Sequence, residues 1–187
     1  MFICPSEFYR KKLTEGNFTK SPIVTMRNPL PLDTVFERNE TNEGYILYFG
    51  RLSPEKGVKT LIEAAIKCGC HLMILGTGPQ EEELKKLAKD AENIEFKGFQ
   101  TGEALHKFVK NSKCVVLPSE WYENGPYSAM EAMALGKPLI VSNYGGLPEL
   151  VEDGVNGYIY EKTADALAEC IEKMQKLDSK TYQKMAN

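Results

Sequence analysis

The chain has 187 residues, 42% of them hydrophobic and 26% charged, with a formal net charge of -3 at pH 7. That is enough chain for one buried core plus a fragment, and with no lysine/arginine run or basic-aromatic stripe it does not read as a nucleic-acid binder. No apolar run approaches the ~18 residues of a membrane span, the opening Met1–Ser6 lacks the regions of a signal peptide, and the scattered cysteines and two histidines have no zinc-site spacing. Reduced cysteines in a cytoplasmic protein are therefore expected.

In chain order, Phe2–Cys4 is a short strand and Ser6 is placed to cap a helix through about Glu15. Asn28-Pro29-Leu30-Pro31 is a rigid extended turn, and Asn39–Glu43 a polar loop. The opening strand has no partner before it and reads as the last piece of something larger. Apolar runs of strand length follow at Ile23–Met26, Tyr45–Gly50, His71–Leu75, Ile94–Phe96, Cys114–Leu117, Pro138–Val141 and Gly157–Tyr160. Between most of them lie stretches with helical spacing. One carries Val58, Leu61, Ile62, Ala65 and Ile66 on a single face; another carries Leu84, Leu87 and Ala88 behind the acidic Glu81–Glu83. Leu105, Phe108 and Val109 mark a third, and Leu167, Cys170, Ile171 and Met174 a fourth. Such alternation predicts an α/β fold, a doubly wound parallel sheet of about six strands with helices on both faces. Beyond Lys176 the chain is polar and expected to fray.

Two segments carry the chemistry. In the first, the strand Cys114–Leu117 leads to Glu123-Asn124-Gly125-Pro126-Tyr127 and then to a helix that contains Glu131 and stops near Gly136-Lys137-Pro138. Asn124 is a cap candidate and Pro126 suits the first turn. The free N–H groups of such a helix start bind phosphate, while the two carboxylates accept hydrogen bonds from hydroxyls. A ligand with an anionic middle and hydroxyl-rich ends fits, and a nucleoside diphosphate sugar is one. In the second, the strand Tyr45–Phe49 ends at Gly50, after which Arg51 and Lys56 flank a short turn. They read either as cations facing a diphosphate leaving group or as solvated loop charges. Gly76-Thr77-Gly78-Pro79 lacks the dinucleotide fingerprint and reads as a tight strand-to-helix turn. Absence of any Asp-x-Asp disfavours a magnesium-dependent site, so no metal and no other cofactor is expected. Trp121 and Tyr122 either line a sugar pocket or pack at a loop, and Gly145-Gly146 bends the backbone near the crevice.

Gly50-Arg51, Lys56-Gly57, the Glu123/Glu131 pair with Ala132-Met133-Ala134, Gly136 and Pro138, and Gly145-Gly146 with Pro148-Glu149 together resemble family-4 retaining glycosyltransferases of the GT-B fold, from about residue 2 to about residue 175. The resemblance implies the C-terminal, donor-binding half of such an enzyme, with residues 1–20 a remnant of the N-terminal domain and 21–187 the Rossmann-like donor domain. It implies that Gly50, Arg51 and Lys56 hold the donor diphosphate and that Glu123 touches the transferred sugar. Backbone around Asn124, Gly125, Pro126 and Tyr127 would hold phosphate, Glu131 the ribose hydroxyls, and the Gly98-Phe99 segment the base. Glu123, Arg51 and Lys56 would then be catalytic. Partners implied are an NDP-sugar donor and a glycan or glycolipid acceptor met through the N-terminal domain, with peripheral membrane contact compatible. Two rival readings stand beside a metal-independent hexosyltransferase: a non-catalytic nucleotide-sugar binding module, and a GT-B nucleotide-sugar epimerase.

Overall fold

The computed structural model describes residues 1–30 and 41–186. Pro31 of the extended turn and Asn39–Glu40 of the polar loop lie outside the described residues. Two strands, β1 (Phe2–Cys4) and β2 (Ile23–Thr25), pair in parallel around α1 (Glu7–Glu15). The other six are β3 (Ile46–Phe49), β4 (Leu72–Leu75), β5 (Ile94–Gly98), β6 (Cys114–Leu117), β7 (Leu139–Ser142) and β8 (Gly157–Tyr160). They form one sheet in the order β5-β4-β3-β6-β7-β8, every pairing parallel. The expected six-stranded doubly wound sheet is present.

Helices α2 (Val58–Cys68), α3 (Glu81–Leu87), α4 (Gly102–Asn111), α5 (Tyr127–Ala134), α6 (Ala164–Gln175) and α7 (Ser179–Ala186) cover its two faces. The period-2 alternation of strand side chains divides the core. Ile46, Leu72, Ile74, Cys114, Val116 and Ile140 pack on one face against Leu61 and Ile62 of α2 and Leu167 and Ile171 of α6. Leu47, Val115, Leu117, Leu139 and Val141 point the other way, against Val109 of α4 and Ala129 and Ala132 of α5. Strands buried on both sides are why the sequence shows continuous apolar runs there. Ile66 and Leu87 are exceptions, exposed at the outer edges of their helices.

Two expectations need correction. The opening strand is not without a partner, since β1 pairs with β2 in register Phe2↔Ile23 to Cys4↔Thr25. β2 in turn does not join the main sheet. The polar end does not fray. It forms α7, whose Tyr182 and Met185 are 2% and 3% exposed, and the Tyr182 hydroxyl donates to the Lys113 carbonyl at 2.8 Å. Tyr182 and Met185, with Ala186 beside them, dock the helix while its polar face stays in water. Truncation by Tyr182→Ala is expected to cost about 3–5 kcal/mol in urea unfolding, where a frayed tail would show no change.

Candidate functional site

From β3 the chain winds outward through β4 and β5, and from β6 it winds the other way through β7 and β8. The neighbours β3 and β6, paired at Ile46↔Cys114 and Leu47↔Val115, therefore flank the topological switch point. Open α/β sheets bind ligands beyond the carboxyl ends of the strands at such a point. The loops leaving β3 and β6 are the two segments singled out from the sequence.

The β3 loop runs from Gly50 to Gly57 and includes a 3-10 turn over Pro54–Lys56. The Tyr48 hydroxyl donates to the Arg51 carbonyl at 2.8 Å and anchors its start. At its end Gly57 adopts φ +63°, and a Cβ there would sit 2.0 Å from the Pro118 carbonyl oxygen, just past β6. Only glycine lets the two loops touch. The contact is tied further by the Glu120 N–H, which donates to the Glu55 carbonyl at 2.9 Å.

Lys56 is thereby brought to Glu123. The Lys56 Nζ lies 2.5 Å from Glu123 Oε1, with the two side chains 27% and 16% exposed. Ser119 Oγ donates to the same carboxylate oxygen at 2.8 Å, and the Ser119 carbonyl accepts from Ser142 Oγ at 2.6 Å. Arg51 pairs with Glu55 Oε1 at 2.6 Å, and Ser53 Oγ donates to that oxygen at 2.7 Å. Both cations are paired with carboxylates, Lys56 in a partly buried pair and Arg51 with its side chain 67% exposed. Arg51, Glu55, Lys56, Trp121 and Glu123 line one cavity of about 460 Å³.

Behind Glu123 the chain returns from β7. The Gly146 N–H donates to the Glu123 carbonyl at 2.7 Å, and a Cβ at Gly145 would lie 2.8 Å from the Glu123 nitrogen. The Gly145-Gly146 pair therefore supports the backbone that presents Glu123. Glu149, just beyond, accepts from the Glu7 and Phe8 N–H groups at 2.9 and 2.6 Å and fastens the start of α1 to this side.

The adjacent aromatics diverge. Tyr122 packs against Phe8 at 4.8 Å and Tyr144 at 5.1 Å between ring centroids, while Trp121 remains 64% exposed at the cavity. A second cavity of about 380 Å³ adjoins through Arg51 and is walled by Phe49, Gly50, Gly76, Thr77, Phe99 and Leu105 among others. Here the Gly76–Gly78 turn is a close-packing feature: a Cβ on Gly78 would stand 2.2 Å from the Leu52 carbonyl oxygen. Its exposed backbone forms cavity wall, as the tight-turn reading allows. Phe99 is 71% exposed there.

Asn124 does not cap α5. Pro126 holds the cap position with no side-chain cap bond, and Asn124 Oδ1 lies 3.5 Å from Ser6 Oγ. Gly125, at φ +93°, offers its carbonyl to Asn28 Nδ2 at 3.0 Å. This loop is held by Ser6 and Asn28, and among the described residues no side chain caps the α5 start. Tyr127 opens the helix half-exposed. Glu131 lies a turn inside α5 on the side of α4. Burial pushes its carboxyl up from the ordinary range and the nearby His106 pulls it down. Glu131 does not line the Arg51–Glu123 cavity.

Sequence reasoning missed Ser119, Glu55 and Tyr48, which position the charged groups. A serine after Leu117-Pro118 and a glutamate beside Lys56 carry no distinctive spacing, so no local signal points to them. Among the described residues no three His, Cys, Asp or Glu side chains converge as a metal site, and no helix is long and apolar enough to cross a membrane.

A family model described as "Glycosyl transferases group 1" matches residues 33–187. The chain belongs to that family. Among curated members this group 1 glycosyltransferase chain is similar to an uncharacterized glycosyltransferase of Methanocaldococcus jannaschii, 37% identical over 137 residues that make up 69% of this chain and 35% of that protein. It is also similar to the alpha-D-kanosaminyltransferase of Streptomyces kanamyceticus, 32% identical over 142 residues, 68% of this chain and 36% of that one. The chain spans about a third of the length of these relatives. Its fold matches the crystal structure of Anabaena HepE in complex with UDP and glucose, with a TM-score of 0.86 at 22% identity, over 98% of this chain and 55% of that one. The architecture is that of GT-B glycosyltransferases, and homologues include an amylovoran biosynthesis glycosyltransferase of Erwinia amylovora, 34% identical over 66% of this chain and 34% of that one.

Proposed function

We propose that this chain is the donor-binding half of a retaining, metal-independent family-4 hexosyltransferase, lying C-terminal to an acceptor-binding domain and acting in the cytoplasm on a glycan or glycolipid. The observation that carries the reading is the convergence of Arg51, Lys56 and Glu123 at the switch point between β3 and β6.

Arg51 and Lys56 face the donor diphosphate. The acceptor hydroxyl forms its bond to the anomeric carbon as the bond to the phosphate oxygen breaks. The NDP leaves with that electron pair and takes up the proton that the hydroxyl loses. Negative charge grows on the leaving phosphate, so cations placed there stabilise the transition state more than the ground state. Glu123, held by Ser119, accepts from sugar hydroxyls. In the ligand-free site it is paired with Lys56, so the diphosphate and the sugar exchange places with this ion pair as they enter. The Phe99 cavity takes the base, the uncapped start of α5 at Tyr127 adds N–H donors to phosphate, and Glu131 takes the ribose hydroxyls.

A thermal-shift series with UDP, GDP, ADP and their hexose conjugates tests this. One nucleotide series is expected to raise the midpoint with increasing concentration, unchanged by EDTA or added magnesium, and without sugar transfer by the 187-residue chain alone. No shift with any nucleotide overturns the donor-binding reading. Release of epimerised sugar nucleotide by the intact enzyme without acceptor would favour the epimerase instead.

A further inference from the structure

We propose that the indole of Trp121 is the surface on which the hexopyranose ring of the donor lies, an inference that rests on the donor-binding reading above. Two neighbouring aromatics leave β6 on the same loop and meet different fates. Tyr122, 48% exposed, packs against the rings of Phe8 and Tyr144. Trp121 is 64% exposed, with the Tyr122 ring at 6.4 Å between centroids, and it borders the cavity with Arg51, Lys56 and Glu123. Leaving so large an apolar ring in water forgoes the stabilisation its burial would bring.

The chemistry of a pyranose accounts for the arrangement. Its hydroxyls project around the rim, while the faces of the ring carry C–H groups. A site for it needs hydrogen-bonding groups at the edge and a flat apolar surface beneath. Glu123 supplies the first beside Lys56, which draws the diphosphate. Trp121 supplies the second, and the negative face of its π system suits the weakly positive C–H groups. Arg51, Lys56 and Glu123 alone would recognise an anion and a hydroxyl. Adding a planar wall selects a six-membered sugar ring attached to that anion.

Trp121 is the single tryptophan in the chain, so intrinsic emission reads this contact directly. The probes are UDP-, GDP- and ADP-glucose, each against its free diphosphate. The glucose conjugate that binds is expected to shift the emission to shorter wavelength, with little shift from the matching diphosphate. By calorimetry, Trp121→Ala should weaken the sugar nucleotide about tenfold and leave the diphosphate unchanged, while Trp121→Phe recovers most of the loss. Circular dichroism checks that both variants remain folded. Equal affinity losses for diphosphate and conjugate, no loss at all, or emission that responds only when an acceptor glycan is added would each overturn the inference while leaving donor binding intact. If no diphosphate or conjugate binds the wild-type chain, the donor-binding reading fails first and this inference with it.

Discussion

Alanine at Arg51 or Lys56 is expected to cut turnover of the intact enzyme by about 2–4 kcal/mol of transition-state stabilisation, with a smaller effect on donor affinity. Each cation is held by a carboxylate before the donor arrives, Arg51 by Glu55 and Lys56 by Glu123. On the proposed donor-binding reading the diphosphate replaces one partner by another in the ground state, which limits what either contact adds to binding. As the glycosidic bond breaks, charge accumulates on the leaving oxygen, and the same cations then face a stronger anion. The loss appears chiefly in kcat. Substitution at Glu123 should separate its two roles. Glu123→Ala is expected to impair turnover yet leave free NDP binding intact or tighter, because Lys56 loses its competing partner. Glu131→Ala should mainly weaken the donor, since the ribose is remote from the bond that breaks. Steady-state kinetics with titration of NDP and NDP-sugar measures all four variants. Normal kcat in Arg51→Ala and Lys56→Ala would place the phosphate site elsewhere.

Gly57→Ala is expected to destabilise the fold and open the site at once. Its φ of +63° disfavours any side chain, and the added Cβ would fall 2.0 Å from the Pro118 carbonyl oxygen. Left-handed backbone costs about 1–2 kcal/mol outside glycine, and forcing a packed contact apart adds about 1–3 kcal/mol, so a loss of roughly 2–5 kcal/mol in denaturant unfolding is predicted. The β3 loop must then retreat from the β6 loop, which carries Lys56 away from Glu123. Nucleotide-dependent thermal stabilisation should fall with it. An alanine variant with wild-type stability and wild-type nucleotide affinity would show that the contact between the loops does not hold the two charged groups together.

What the sequence determined by itself was local. Short apolar runs and helical spacing, with glycine and proline at the breaks, marked the strands and helices of the doubly wound sheet, because parallel strands buried on both faces read as near-continuous apolar runs. The same breaks exposed the Gly50–Gly57 segment and the stretch from Glu123 into the helix with Glu131 as the connections that leave strands. What the tertiary structure decided was long-range. The sequence put Lys56 and Glu123 on separate loops; the strand order made those loops neighbours and turned two candidate ligand contacts into an ion pair. It recruited Ser119 through a hydrogen bond that no spacing announces. It assigned Tyr122 to packing and Trp121 to the cavity, a division that adjacent aromatics of similar size cannot show in one dimension. It also docked α7 through Tyr182 and Met185 and paired β1 with β2. Short polar or isolated segments carry little periodic signal, and their placement depends on surfaces that exist only once the sheet has formed.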